Sequence, residues 1–375
     1  MKRITYDRMS GGNPLFLAQW DGQGQLISLK SSEDTEEMNW VRGEQVWGSV
    51  SCSPDLTVEV KRRYTERGTL AECYTFRNET DFDIYTMGTQ VGICVQLPDY
   101  YTDAAVCMTQ CCNVHLWCGG SSSYVCALRM GGGRINLGLV LTKGSLKSYS
   151  VRRNLERESN DRGAFLLHPE NMHIRPGEYV QVEWELFWFE DREDFRRKVL
   201  NLTGFVWIEA ELFLLFEGET VRFRALAGGM NVDTGRRNGV AETDAKECRK
   251  RPEIYRNGQK IDFIWKNGIA EVEDRPEGCG EYRYEIQWMG KRSYAFFLVK
   301  PEIWKLAERR CRFIAERQQC RDRKSCLDGA YLIYDNEEGT QYYSCLLYTS
   351  GFCETSDYVF TEYAFRQKQG SCRPA

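Results

Sequence analysis

The run from Cys112 to Thr142 limits the fold more than any other stretch of this chain. It reads Cys-Asn-Val-His-Leu-Trp-Cys-Gly-Gly, then Ser-Ser-Ser-Tyr-Val-Cys-Ala-Leu-Arg-Met, then Gly-Gly-Gly-Arg-Ile-Asn-Leu-Gly-Leu-Val-Leu-Thr. Ile135, Leu137, Leu139 and Leu141 alternate with Asn136, Gly138 and Val140. A period of two predicts a strand with one buried face. Gly119-Gly120 and Gly131-Gly132-Gly133 allow tight reversals, because glycine takes positive φ without steric cost. Three short strands joined this way belong in the middle of a large antiparallel sheet. His115 and Trp117 alternate with Val114 and Leu116, so both project from one face. An imidazole beside an indole suits the grip of a sugar ring, and equally the edge of an ordinary core.

The flanking sequence extends the pattern. Leu15–Trp20 and Leu26–Leu29 enclose Asp21-Gly22-Gln23-Gly24, a hairpin signal. Val58–Tyr64, Leu70–Asn78 and Ile84–Leu97 read as further strands, with no convincing helix between them. This spacing implies an all-β sandwich. Pro176–Phe189 closes it: Val180, Val182, Trp184, Leu186 and Trp188 form one face, and Gln181, Glu183 and Glu185 the other. The two glutamates read as a solvated face. Phe187 and Phe189 make the far end apolar on both sides, which predicts a neighbouring element over it. Glu190–Asn201 places acids before bases, as a short helix favours.

A boundary near Leu202 separates a second set of strands, Phe205–Val299, punctuated by Gly218, Asn257-Gly258, Asn267-Gly268 and Met289-Gly290. Their number and length suggest an immunoglobulin-like sandwich. The period then changes: Ile303, Leu306, Ala307, Cys311 and Ile314 follow Pro301-Glu302 at helical spacing. The expected fold class is therefore mainly β. A large antiparallel β-supersandwich (1–201) precedes an Ig-like β-sandwich (202–300), a short helical segment (301–344) and an irregular tail (345–375).

Composition excludes several classes of function. A formal charge of −4 over 375 residues leaves no basic footprint for nucleic acid. No stretch approaches the ~20 apolar residues of a membrane span, and the N-terminus has no apolar signal core. The 16 cysteines include no Cys-x-x-Cys pair, so neither structural zinc nor a disulfide scaffold is expected. Free thiols in a reducing, cytoplasmic setting are. Neither a phosphate loop nor a Gly-x-Ser-x-Gly turn occurs, and no cofactor is implied. The 10 Trp and 20 Tyr fit a β-rich protein that handles a flat ligand such as carbohydrate.

Four short motifs add a resemblance. Met38-Asn39-Trp40-Val41, His115-Leu116-Trp117-Cys118-Gly119-Gly120, Ser159-Asn160-Asp161-Arg162-Gly163 and Leu327-Asp328-Gly329-Ala330-Tyr331 occur in the order sandwich, Ig-like module, helix. In this the chain, over roughly residues 10–344, resembles the front part of a bacterial six-hairpin glycosidase. The resemblance implies a β-supersandwich joined to a helical α/α toroid that holds the catalytic carboxylates. This sequence stops about one helix into such a toroid, and after Tyr343-Ser344 it departs from the expected continuation. The expectation is a truncated or frame-shifted product, inactive as a glycosidase on its own.

Glycoside hydrolysis needs a general acid and a second carboxylate across the bond; no catalytic residue is assigned here. Asp328, Asp335, Glu337 and Glu338 lie after the first toroid helix, where such enzymes line their cleft. They read equally as a solvated loop. Asn39, Trp40, His115 and Trp117 are candidates for a sugar-facing rim on the sandwich. The expected function is the non-catalytic N-terminal region of a glycoside hydrolase acting on poly- or oligosaccharide. A stand-alone carbohydrate-binding or protein-interaction protein is the alternative, and a purely structural multi-sandwich protein a third.

Overall fold

The computed structural model describes residues 4–6, 15–41, 47–152, 164–227, 251–266 and 268–342. The Ser159–Gly163 motif, the segment 233–251, which its charges mark as a loop or insert, up to residue 250, and the tail from 345 lie outside the described residues. The chain is mainly β and divides into two compact units. The first takes in residues up to Phe213, Thr220–Pro276 and Glu281–Phe297; the second comprises Leu214–Glu219, Glu277–Gly280 and the residues from Leu298 onward.

The largest sheet has seven strands, in the order β1 (Ile4–Tyr6), β5 (Leu56–Tyr64), β6 (Leu70–Asn78), β15 (Tyr179–Phe189), β11 (Asn136–Lys143), β10 (Ser122–Arg129) and β9 (Cys112–Gly119). A four-stranded sheet of β12 (Leu146–Arg152), β13 (Ala164–Pro169), β8 (Gly92–Val95) and β4 (Val50–Ser51) shares one core with it. Val58, Val60, Tyr74, Phe76, Leu139 and Trp184 meet Ile93, Val95, Phe165 and Leu167 there. The hairpin β2 (Phe16–Trp20) and β3 (Leu26–Ser31) packs Phe16, Leu26 and Leu29 onto the same core. A small ribbon pairs β7 (Ile84–Tyr85) with β14 (His173–Ile174).

The interior of this sandwich is not wholly apolar. Register sets Glu72 directly opposite both Arg62 and Trp184. The Glu72 carboxylate, fully buried, accepts from Arg62 Nε at 2.5 Å, Trp47 Nε1 at 2.9 Å, Trp184 Nε1 at 2.8 Å and the Tyr74 hydroxyl at 3.2 Å. Arg62 also donates to the Gly24 carbonyl at 2.7 Å and lies over the Trp20 ring at 4.9 Å. Burial opposes the Arg62 charge, but the Glu72 carboxylate, Tyr74 and Tyr6 together hold the guanidinium above its ordinary value. Burial first, then Glu72, pushes the Tyr74 phenol well up.

Three features differ from the sequence reading, and one expectation finds its element. β11 is buried on both faces as far as Leu141, not on one. Its second face, with Val140, lies under α2 (Arg192–Leu202), whose Phe195, Val199 and Leu200 cover Phe187 and Phe189 as well. This is the neighbouring element that the doubly apolar end of β15 called for. Glu185 is buried and accepts from the Thr69 hydroxyl at 2.6 Å, whereas Glu183 on the same face pairs with exposed Arg63 at 2.7 Å. A short helix, α1 (Ala104–Gln110), stands where none was expected, its first turn capped by the Asp103 carboxylate.

The second sandwich sets β16 (Val206–Ala210), β18 (Val221–Ala227), β22 (Ile269–Asp274) and β21 (Ile264–Lys266) in one sheet. The other holds β17 (Leu214–Phe216), β24 (Lys291–Lys300), β23 (Gly280–Trp288), β19 (Glu253–Arg256) and β20 (Gln259–Lys260). Phe223, Tyr284 and Phe297 stack between them. The hairpin of the Cys118-Gly119-Gly120 motif ties the first sandwich to this one. Ser121 Oγ accepts from Arg292 N at 2.7 Å and donates to Arg292 O at 3.0 Å, while Ser122 Oγ accepts from Val206 N at 3.0 Å. Gly120 has φ +81°, and a Cβ there would meet the Arg292 carbonyl at 3.2 Å. Only glycine satisfies both demands.

In the second unit the helix Ile303–Phe313 is capped by Glu302 and runs into a π-helical turn at Ile314–Gln318. Leu306, Ala307 and Cys311 are half-buried, and Ile303 and Trp304 are exposed. The loop expected after it forms a small hairpin, β25 (Ile333–Asp335) with β26 (Thr340–Tyr342).

Removing one member of a buried charge pair strands the other in the core. Glu72→Ala is therefore expected to lower the unfolding free energy by about 3–5 kcal/mol, read from urea denaturation. An unchanged midpoint would show that the carboxylate is dispensable.

Candidate functional site

The outward face of the β16-β18-β22-β21 sheet carries a recess. β18 alternates buried Val221, Phe223 and Ala225 with exposed Arg222 and Arg224. β22 alternates buried Ala270 and Val272 with exposed Glu271 and Glu273. Antiparallel register sets Arg222 opposite Glu273, and Arg224 opposite both Glu209 and Glu271. The result is a cross-strand ladder of opposite charges. Arg222 Nε donates to Glu273 at 3.1 Å and Arg224 donates to Glu209 at 3.0 Å. Glu209 also receives Arg196 from α2 at 2.5 Å.

The recess encloses about 550 Å³ between Glu209, Glu211, Arg222, Arg224, Ile264 and Glu271, within the range of small-ligand sites. Ile264, largely exposed, supplies an apolar wall. The guanidiniums donate in fixed forks and the carboxylates accept, so neighbouring hydroxyls could be bridged by one of each. Exposed ion pairs hold a fold together by only ~0–1 kcal/mol each; their groups can exchange partners for a ligand at little cost. The lining supplies carboxylates and guanidiniums, groups that can accept from and donate to a ligand.

None of the residues singled out from sequence lines this recess. Asn39 Oδ1 accepts from Leu29 N at 3.0 Å and Val41 N at 3.1 Å, fastening its loop to β3. Trp40 is 0% exposed and packs 6.1 Å from Trp188, so it presents no ring face to solvent. His115 is exposed on β9, its Nε2 3.4 Å from the Arg192 guanidinium. Trp117 shares that face of β9 but is half-buried, stacked with Tyr124 at 6.4 Å and edge-on to Phe213 at 6.0 Å. Asp328, Asp335 and Glu337 belong to the second unit. Asp335 Oδ1 accepts from the backbone N–H of Glu337 at 2.7 Å and of Glu338 at 2.8 Å, which shapes the hairpin turn. Asp328 and Glu337 are exposed. The recess was visible in sequence as Val-Arg-Phe-Arg-Ala and Ala-Glu-Val-Glu-Asp, charges at period two against an apolar face. That reads as a solvated sheet until register shows the opposite charges facing each other.

The described residues hold no cluster of three or more His, Cys, Asp or Glu able to bind a metal. No described helix is long and apolar enough to cross a membrane.

Comparison with solved structures finds a polysaccharide lyase, BACCELL_00875, similar over 89% of this chain at TM-score 0.73 and 26% identity. The chain spans about half of that protein, 53% of its length. The fold is thus that of a region of a carbohydrate-active enzyme. A putative membrane anchored protein from Corynebacterium diphtheriae aligns only at TM-score 0.20 and 8% identity, over 62% of this chain and 58% of that one, and supports no argument. No protein-family model and no curated protein matches the sequence.

The thiols near the aromatic layer behave differently from those at the surface. Burial pushes Cys118 and Cys126 up to about 12, so neither carries appreciable thiolate at neutral pH. Cys279 and Cys326 are exposed. Brief iodoacetamide treatment of the native chain, read by peptide mass spectrometry, is expected to label Cys279 and Cys326 and spare Cys118 and Cys126. Equal labelling of all four would contradict this burial.

Proposed function

We propose that this chain is the non-catalytic β-sandwich region of an enzyme that cleaves poly- or oligosaccharide, and that it holds glycan at the Glu/Arg recess. The observation that carries this reading is the likeness to a polysaccharide lyase across both sandwiches, at 26% identity, with about half of that protein matched. The chemistry of the recess agrees with it. Fixed donors and acceptors flank an apolar wall, which suits a ring with hydroxyls on its rim and C–H bonds on its faces. In this reading bond cleavage belongs to a helical toroid continuing from Ile303–Phe313, as in six-hairpin glycosidases. His115, Asp328 and Glu337 keep exposed side chains and stay within the proposal as secondary glycan contacts.

The neighbouring enzyme is a lyase, whereas the sequence motifs suggested a hydrolase; the two leave different products. Elimination yields an unsaturated sugar that absorbs in the ultraviolet, and hydrolysis a saturated reducing end. The chain is incubated with polygalacturonate, alginate, hyaluronate and arabinoxylan, and both products are followed alongside affinity electrophoresis in gels containing each polymer. Retardation by at least one polymer without either product is expected. Either product would overturn the non-catalytic assignment, and unretarded migration in every gel would overturn glycan binding. Replacing Arg222 and Arg224 together by Ala removes two charged donors, and is expected to weaken retention about tenfold or more.

A further inference from the structure

We infer a second glycan contact on the first sandwich, the outer face of the Tyr85 ring, backed by His173. This rests on the polysaccharide reading above but involves a separate surface. Strands β7 and β14 place the two residues directly opposite each other. Their rings stack at 4.3 Å and are inclined by only 8°. Asp83 Oδ2 lies 2.6 Å from His173 Nε2 and fixes the plane of the imidazole. Tyr85 is 64% exposed, and Phe82 and Met87 beside it in the chain are 52% and 66% exposed. These large apolar side chains are left in water at one short ribbon.

The ribbon beneath is held rigid. Ile84 and Ile174 are buried in the main core, on the opposite side from Tyr85 and His173. Asn78 Nδ2 donates to the Phe82 carbonyl at 2.7 Å and to the Ile174 carbonyl at 2.8 Å. Thr86 Oγ1 accepts from Met172 N at 3.0 Å, and Asn171 Oδ1 accepts from Gly88 N at 3.1 Å. Side chains ordered before a ligand arrives lose little entropy on binding it.

The chemistry selects the occupant. A purely apolar partner would desolvate the Asp83 carboxylate and the imidazole nitrogens without replacing their hydrogen bonds. A pyranose offers a C–H face for the exposed Tyr85 ring and hydroxyls for the phenol, imidazole and carboxylate around it. Tyrosine combines those two properties in one side chain.

The test uses the full chain in affinity gels containing the polymer that retards it most, with Tyr85→Ala, Tyr85→Phe and Arg224→Ala compared. Thermal midpoints confirm that each variant folds; Tyr85 is a surface residue, and Tyr85→Phe keeps the ring if Ala proves disruptive. Tyr85→Ala is expected to weaken retention roughly three- to tenfold, and Tyr85→Phe by much less. Unchanged retention of Tyr85→Ala with loss in Arg224→Ala would overturn this second contact and leave the glycan reading intact. No retention of the unsubstituted chain in any gel would overturn both. A concentration-dependent dimer abolished by Tyr85→Ala, with retention unaltered, would assign the surface to a second copy of the chain and overturn the proposal.

Discussion

The buried Glu72 carboxylate is the interaction on which the first sandwich depends. A charge with no exposure to water is tolerable only when paired and fully hydrogen-bonded. Glu72 meets that condition with one guanidinium, two indoles and a phenol drawn from β5, β6, β15 and the segment around Trp47. Each donor reaches the carboxylate only if its strand holds the correct register. A slip of one residue would turn Arg62 or Trp184 to the opposite face and leave the charge unmet. The network therefore selects one pairing of strands, where apolar residues alone would accept several.

That register has consequences further along the sheet. β15 carries its partnered Trp184 at mid-strand and Phe187 and Phe189 at its C-terminal end, and the same alignment fixes β11 beside it. The apolar outer face of those strands then requires a cover, which α2 supplies. From α2, Arg196 reaches Glu209, a wall of the Glu/Arg recess. At the β9–β10 end of the sheet, the Gly119-Gly120 hairpin brings Ser121 and Ser122 against Arg292 and Val206. The two sandwiches are thus joined by hydrogen bonds in which glycine at 120 permits close backbone approach. The recess is placed by this joint, and its charges by register within β16, β18 and β22.

Much of this was legible in the residues. The alternation in Ile135–Leu141, the glycine turns and the doubly apolar end of β15 gave a multi-strand sandwich with something packed over one end. The shift to helical spacing at Ile303 marked the helix Ile303–Phe313. What remained hidden were properties of partners distant in sequence. Trp40 and Trp117 look like sugar platforms because an indole suits either solvent or core, and only the fold shows one enclosed and the other packed on Tyr124. Glu185 looks solvated until Thr69 is seen to meet it from the turn before β6. Asp335 reads as a cleft-lining carboxylate, and only the fold shows it accepting from a backbone N–H of its own turn. Tyr85 and His173 lie 88 positions apart (173 minus 85), and no periodicity connects them.

Hydrogen–deuterium exchange of the intact chain, with and without a bound oligosaccharide from the retained polymer, tests the central claim most directly. The account predicts slower exchange in Val221–Ala227 and Ile269–Asp274, the strands that carry the recess, with little change at the enclosed loop Met38–Val41. Protection confined to other strands, or none at all at saturating ligand, would contradict a glycan site on the second sandwich.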